Sequence, residues 1–403
     1  MESSVFSFTP SPSDHPVENA LRVAVQPNMS CRGWPADAGS KALENYTALE
    51  DAFVIAQLKQ ANAVIAGTTC MSELGFGLVN DTGARAVTED LADAALITDY
   101  IGESRAAAAK AGIFGFKPSW GRMSRRGLAG LVPSMETWGI TARRVSEIRQ
   151  IMQMVCVFDD QDFSMRPEPL PDFDLSRSFQ NQAPVIGVAQ GYEQRLNPNE
   201  ARAWNTALSA LKTAGCEIRP VHLPDPGLFS LAHHIIAAVE ASSSAGKYDG
   251  VRYGHRTDAC ADWNQMYLKT RGESFGTLIK TFLFQGAYFQ FQQYEAFEQA
   301  CRARGKLMDQ TLTALADLDG IAGLTLGEHS DPPAAQTIED IYEGFGFTLP
   351  ANLTGLPAVH IPGLARHGRK DFGVHIMGKL FKDPDLLALA RFLETVTSKA
   401  GAA

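Results

Sequence analysis

Short apolar runs alternate with helix-period segments along this chain, and that alternation restricts its fold more than any other feature. Residues 21–25 (LRVAV) read as a strand ended by the turn signal Gln26-Pro27-Asn28. Residues 51–63 follow with helical periodicity, Ala52, Ile55, Ala56, Leu58 and Lys59 fitting a half-buried helix. Residues 63–66 (AVIA) read as a buried strand closed by Gly67, 87–96 as an Ala-rich helix, 99–105 as a Gly-punctuated loop and 113–116 (IFGF) as a further strand. Strand, helix and strand in succession imply an α/β architecture. Further on, 185–188 is strand-like, 199–214 is an amphipathic helix and 275–315 is mostly helical. The aromatic residues of that last stretch, from Phe282 to Phe297, are those of a helix packed in a core or on a partner.

Composition narrows the class. The chain has 403 residues, 45% of them hydrophobic and 20% charged, with a net charge of −9. That is ample material for a large core and offers no electrostatic footprint for nucleic acid. Residues 1–20 form a polar segment without the basic start and apolar run of a signal peptide, and a domain is expected over 21–403. The Asp- and Pro-rich stretch 158–182 is a surface connection within it. No run approaches the length of a membrane-spanning helix. Six scattered cysteines without a Cys-x-x-Cys pair read as thiols in a reducing compartment, so a cytoplasmic setting is expected.

Three strings carry a specific resemblance. AGIFGFKPSWGRMSRRGL at 111–128 is similar to CGVVGLKPTYGRVSRxGL of the amidase signature family. EASSS at 240–244 with YDGVRYG at 248–254 resembles EAxSN…YDGVRYG of its glutamyl-tRNA(Gln) amidotransferase A-subunit branch. LPANLTGLPAVHIP at 349–362 matches the family's PANLTGLPAxxxP. The resemblance implies one α/β/α domain around a large mixed sheet. It also implies amide hydrolysis by a Lys, a bridging Ser and a nucleophilic Ser, with backbone N–H groups before the nucleophile forming an oxyanion hole. No cofactor or metal belongs to that chemistry, and no metal-ligand spacing is present.

At the three chemical positions the chain departs from the family. The AVKDN-like string reads Ala24-Val25-Gln26-Pro27-Asn28, so the Lys position holds Gln26, whose amide is no base near neutral pH. The (S/T)DTGGSIR string reads TDYIGESR at 98–105: Thr98, Asp99, Gly102 and Arg105 agree, Ile101 stands in the oxyanion loop, and Glu103 takes the nucleophile position. Ser104 falls at the family's Ile position and reads as structural. The bridging Ser, twenty-four positions earlier, falls on Val79 in the resemblance's register, where the paired glycines and a substrate-side loop are also absent. The branch's tandem Arg after Lys280, which would hold an amino-acid carboxylate, is replaced by Thr281 and Phe282, whereas Gly327-Glu328 and Asp331-Pro332 are kept.

Other groups offer no clear substitute. Lys41 and Lys59 read as solvated, His233-His234 as structural on an apolar helix, and His360 and His375 as strand residues far in sequence from Glu103. Glu103 itself is either a solvated carboxylate or one that fills the old oxyanion hole, its charged form favoured by the N–H donors. Two functions follow. In the first, the chain is a non-hydrolytic pseudo-amidase that binds a small-molecule ligand, a protein partner or a second copy of itself. In the alternative, it is an amide hydrolase or amidotransferase A-subunit-like enzyme with a site rearranged around Glu103, Asp99 or Asp81 serving as acid or base.

Overall fold

The computed structural model describes residues 4–11, 20–78, 82–175, 179, 183–258, 260–327, 337–368 and 370–400, with side chains to 395. The chain opens with β1 (Phe6–Phe8), β2 (Arg22–Val25), α1 (Phe53–Gln60), β3 (Val64–Thr69), α2 (Gly83–Thr88) and β4 (Ala94–Asp99). Next come α3 (Glu103–Ala111), β5 (Phe114–Lys117), β6 (Thr137–Ala142), α4 (Val145–Val155), β7 (Val185–Ala189), α5 (Pro198–Thr213) and β8 (Glu217–Val221). A helical block follows: α6 (Pro226–Ser244), α7 (Trp263–Ser274), α8 (Thr277–Phe291) and α9 (Tyr294–Leu315). The remainder is β9 (Gly320–Leu324), α10 (Ile338–Gly344), α11 (Leu349–Thr354), β10 (Ala358–Ile361), the two-residue β11 (Arg366–His367) and β12 (Lys370–Asp371), β13 (Val374–Met377) and α12 (Asp383–Ala400).

Among the described residues eleven strands form one sheet in the order β1-β3-β2-β4-β6-β5-β10-β13-β9-β7-β8. It is mixed: β2 runs parallel to β3 and β4, and β7 parallel to β8 and β9, while the centre from β4 to β9 is antiparallel. Side chains alternate between two cores. Val23, Val25 and Leu96 face a layer containing α1, α4, α5 and α12, and Ala24, Ala95 and Ile97 face α2 and α3. The small residues on the second face let α2 and α3 approach closely. Beyond them α6, α8, α9 and α11 build a further apolar cluster around Phe229, Ile236, Phe282 and Leu353.

The α/β expectation holds, and four local readings change. Residues 87–96 do not form one helix: α2 ends at Thr88, and 94–99 is a central strand buried on both faces. Ala-rich composition favours helix, but a strand covered on both sides shows no period-two signal and can be filled by small residues. The segment 1–20 is not set apart either, because Phe6–Phe8 adds an edge strand to β3. There Gly67, expected to close the strand, lies inside β3 at a register shift, where a Cβ would sit 2.7 Å from the Phe8 carbonyl oxygen. The loop 99–105 is shorter than expected, since α3 starts at Glu103.

Candidate functional site

The site lies where β2 and β4 end side by side and the chain turns into α3. Gln26 follows β2 directly and is 2% exposed. Its Oε1 accepts the Thr98 N–H at 2.6 Å, so the amide ties β2 to β4. Asn28 Nδ2 donates to Thr98 Oγ1 at 2.7 Å.

Glu103 is the first residue of α3 and is 1% exposed, so it is not a solvated carboxylate. Its Oε2 accepts the N–H groups of Tyr100, Ile101 and Gly102 at 2.9, 3.0 and 3.1 Å. Three donors on one oxygen is the arrangement expected of an oxyanion hole, and here the acceptor is the Glu103 side chain. Gly102 makes the turn possible: its φ is +128°, and a Cβ there would come within 1.9 Å of Thr348 Oγ1. The loop carbonyls are held as well. Thr348 Oγ1 donates to Ile101 O at 3.0 Å, and His233 Nε2 donates to Tyr100 O at 2.9 Å. That bond fixes the His233 tautomer, so Nδ1 accepts from the Tyr342 hydroxyl at 2.8 Å. Burial pushes His233 down to about 3, and it stays neutral.

Beneath the loop lies a buried polar network. Asp99 Oδ1 meets Arg105 Nη2 at 3.1 Å and Asn352 Nδ2 at 2.8 Å, and Asp99 Oδ2 accepts from the Ser104 hydroxyl. Arg105 Nη1 donates to Thr348 O at 2.9 Å and to His375 Nε2 at 2.7 Å. Burial alone would raise Asp99, but Arg105, Ser104 and Lys117 outweigh it and hold its carboxyl below the ordinary value. Lys117 is fully buried, and desolvation followed by the nearby Arg105 lowers it to about 7.

These charges correct the expectation for Glu103. Its pKa is raised well above the ordinary value, by burial first and by the Asp99 charge second, and the N–H bonds only partly oppose them. The side chain occupies the hole, but as a group biased toward its neutral acid. Among the described residues its Oε1 has no hydrogen-bond partner.

Thr98, Asp99, Ile101, Gly102, Glu103 and Arg105 therefore come together, with Gln26 adjoining through Thr98. Val79 and Asp81 lie outside the described residues, as do Glu328, Asp331 and Pro332. Ser104 is turned toward Asp99 in the interior and packs against Gly139, consistent with a structural residue. Lys59 pairs with Asp51 at 2.7 Å, and Lys41 is exposed. Thr281 is exposed, and Phe282 is buried edge-on against Phe76, which in turn packs on Tyr100 at 4.7 Å. An aromatic wall thus stands where the resemblance would place a cation. Among the described residues no cluster of His, Cys, Asp and Glu fits a metal ion, and no helix is long and apolar enough to cross a membrane.

Sequence reasoning read His233 as structural and His375 as a strand residue without linking either to this loop, and it missed the supports Tyr342, Thr348 and Asn352. Of these three, only Asn352 carried a signal, inside the 349–362 string. The others act through contacts more than a hundred positions away in the sequence.

The amidase family model matches residues 20–89 and 82–387. The chain belongs to the amidase family. The glutamyl-tRNA(Gln) amidotransferase A-subunit of Nitrosococcus oceani is 33% identical over 397 residues, spanning 91% of this chain and 81% of that one. Among solved structures, the A-subunit of the same enzyme from Thermotoga maritima superposes with a TM-score of 0.77 at 22% identity, covering 97% of this chain and 87% of that one. A peptide amidase bound to the competitive inhibitor chymostatin superposes with a TM-score of 0.76 at 22% identity, covering 94% and 83%. The last two likenesses concern the fold.

Proposed function

We propose that this amidase-family chain does not run Ser–Lys amide hydrolysis and works by binding a ligand or a protein partner. The observation that carries the reading is the occupation of the three loop N–H groups by Glu103 Oε2. An acyl oxyanion would need those donors, and the residue in the nucleophile position is holding them. Gln26 adds to this, because its amide cannot take a proton from a neighbouring hydroxyl.

Kinship favours the second reading. The relatives above are named as amidotransferase subunits, which supports an A-subunit-like enzyme with a rearranged site better than it supports an inactive one. One feature of the site agrees: a carboxyl with a raised pKa and a free Oε1 is what a general acid requires. The two readings separate in one experiment. The purified chain is assayed for ammonia release from glutamine, asparagine and simple amides, and for labelling by a fluorophosphonate. The binding reading expects neither. Turnover that disappears in Glu103→Gln would establish the enzymatic one.

A further inference from the structure

The outward face of α8 carries Thr277, Thr281, Phe284, Tyr288 and Phe291, whose spacing aligns them on one side of the helix. Phe284, Tyr288 and Phe291 are 75%, 50% and 77% exposed, and Tyr294 beyond them is 55% exposed. Lone exposed apolar residues are ordinary, but a row of aromatics along one helix is not. None of these row residues is charged. Lys280, the only cation on α8, stands one turn before Phe284 at the edge of the row and acts on the Glu73 carboxyl.

At its start the row opens into a cleft of about 810 Å³ between α6, α8 and α10, lined by Leu231, Ile338 and Tyr342 together with the exposed Glu339 and Glu343. At its far end stand the exposed Glu295 and Glu298, the latter 3.9 Å from an exposed Arg302. An apolar strip is thus bracketed by carboxylates.

We propose that this groove seats an amphipathic helix of a partner protein, apolar at i, i+4 and i+7, with Lys or Arg at both ends. The strip from Thr277 to Phe291 is about 21 Å long at 1.5 Å per residue, which four helical turns cover. Charge complementarity selects the partner. A second copy of this chain laid head to tail would bring Glu339 and Glu343 against Glu295 and Glu298, a like-charge arrangement that opposes self-association. The proposal does not depend on whether the Glu103 site turns over.

The test uses the full chain and two synthetic helical peptides of about 16 residues. Both carry Leu or Phe at i, i+4, i+7 and i+11, one with Lys and Arg at its ends and the other with Glu. Fluorescence anisotropy should show the basic peptide binding roughly tenfold or more tighter than the acidic one, with the difference shrinking in high salt. Phe284→Ser with Phe291→Ser should weaken it by a similar factor, and Glu339→Gln with Glu343→Gln should remove the preference for the basic peptide. Circular dichroism melts check that these surface variants remain folded. Equal binding of the two peptides, or full binding to a folded aromatic variant, overturns the proposal. So does sedimentation showing a dimer of the chain that Phe284→Ser with Phe291→Ser dissociates.

Discussion

Glu103→Gln gives the most direct reading of the site's electrostatics. In the folded chain the carboxyl is held toward its acid form by burial and by Asp99, while in the unfolded chain it titrates near its ordinary 4.5. Above that value the folded state retains a proton that the unfolded state has lost. Stability then falls as pH rises through the window between the unfolded and the folded pKa, by about 1.4 kcal/mol per pH unit for one proton. Gln cannot titrate, so the variant lacks this slope. Its Oε1 can accept the same three N–H groups, and its Nε2 takes the place of the partnerless Oε1, much as the acid's O–H does. At pH 4 the two proteins should therefore be close in stability. As pH rises above the unfolded value the variant should become progressively the more stable of the two, until the pH passes the folded pKa of Glu103.

The assay is urea denaturation of both proteins at half-unit steps from pH 4 to pH 8. Thermal melts give the same sign, with roughly 1 °C per kcal/mol for a chain of this size. Parallel curves for wild type and variant would refute the reasoning, since Glu103 would then titrate alike in both states. A variant that loses ground as pH rises would refute it more strongly: the N–H donors would outweigh burial and Asp99, and the hole would hold an anion.

Three further outcomes follow from the same network. Arg105→Met leaves the buried Asp99 carboxylate without its cation, and denaturation at pH 7 should show a loss of about 3–5 kcal/mol. Lys117 titrates near 7 in the folded chain against 10.5 unfolded, so wild-type stability should rise with pH between those values. Lys117→Met removes that dependence, and its stability advantage, read by denaturation, should be greatest at or below pH 7 and fade toward pH 10. Restoring Gln26→Lys, Val79→Ser and Glu103→Ser together should not produce glutaminase activity in an ammonia-release assay, because in the register the resemblance implies, three side chains return without the substrate-side loop and Gly-Gly turn that would hold them.

The fold was legible because three long strings carried a family pattern and because strand and helix periods alternated. Counting back from Lys117 drew attention to Glu103, and the structure brings three N–H groups of the preceding turn onto its carboxyl. What could not be read was anything set by the interior. Residues 94–97 resemble helix in sequence because a strand covered on both faces has no polar side to betray it. The sequence also favoured a carboxylate in the hole being charged, since it displays the donors and hides the dehydration. Asp99 lies four positions from Glu103, yet its influence became apparent only when both proved fully buried.

The choice of Glu at this position has a physical reason that a simple loss would lack. The N–H groups of Tyr100, Ile101 and Gly102 are buried donors pinned in place by His233, Thr348 and the network below. Leaving each of three such donors without an acceptor costs roughly 1–3 kcal/mol. Ala or Val at 103 would incur that cost in full, and Ser is too short to span three donors. Glu103 satisfies all three through one oxygen. What remains is the burial of a carboxyl biased toward neutrality and one partnerless Oε1, a penalty of about the size of one lost hydrogen bond near acid pH that grows as the pH rises. Near acid pH the balance therefore favours the plug. At higher pH the margin narrows, and that narrowing is what the comparison with Gln measures.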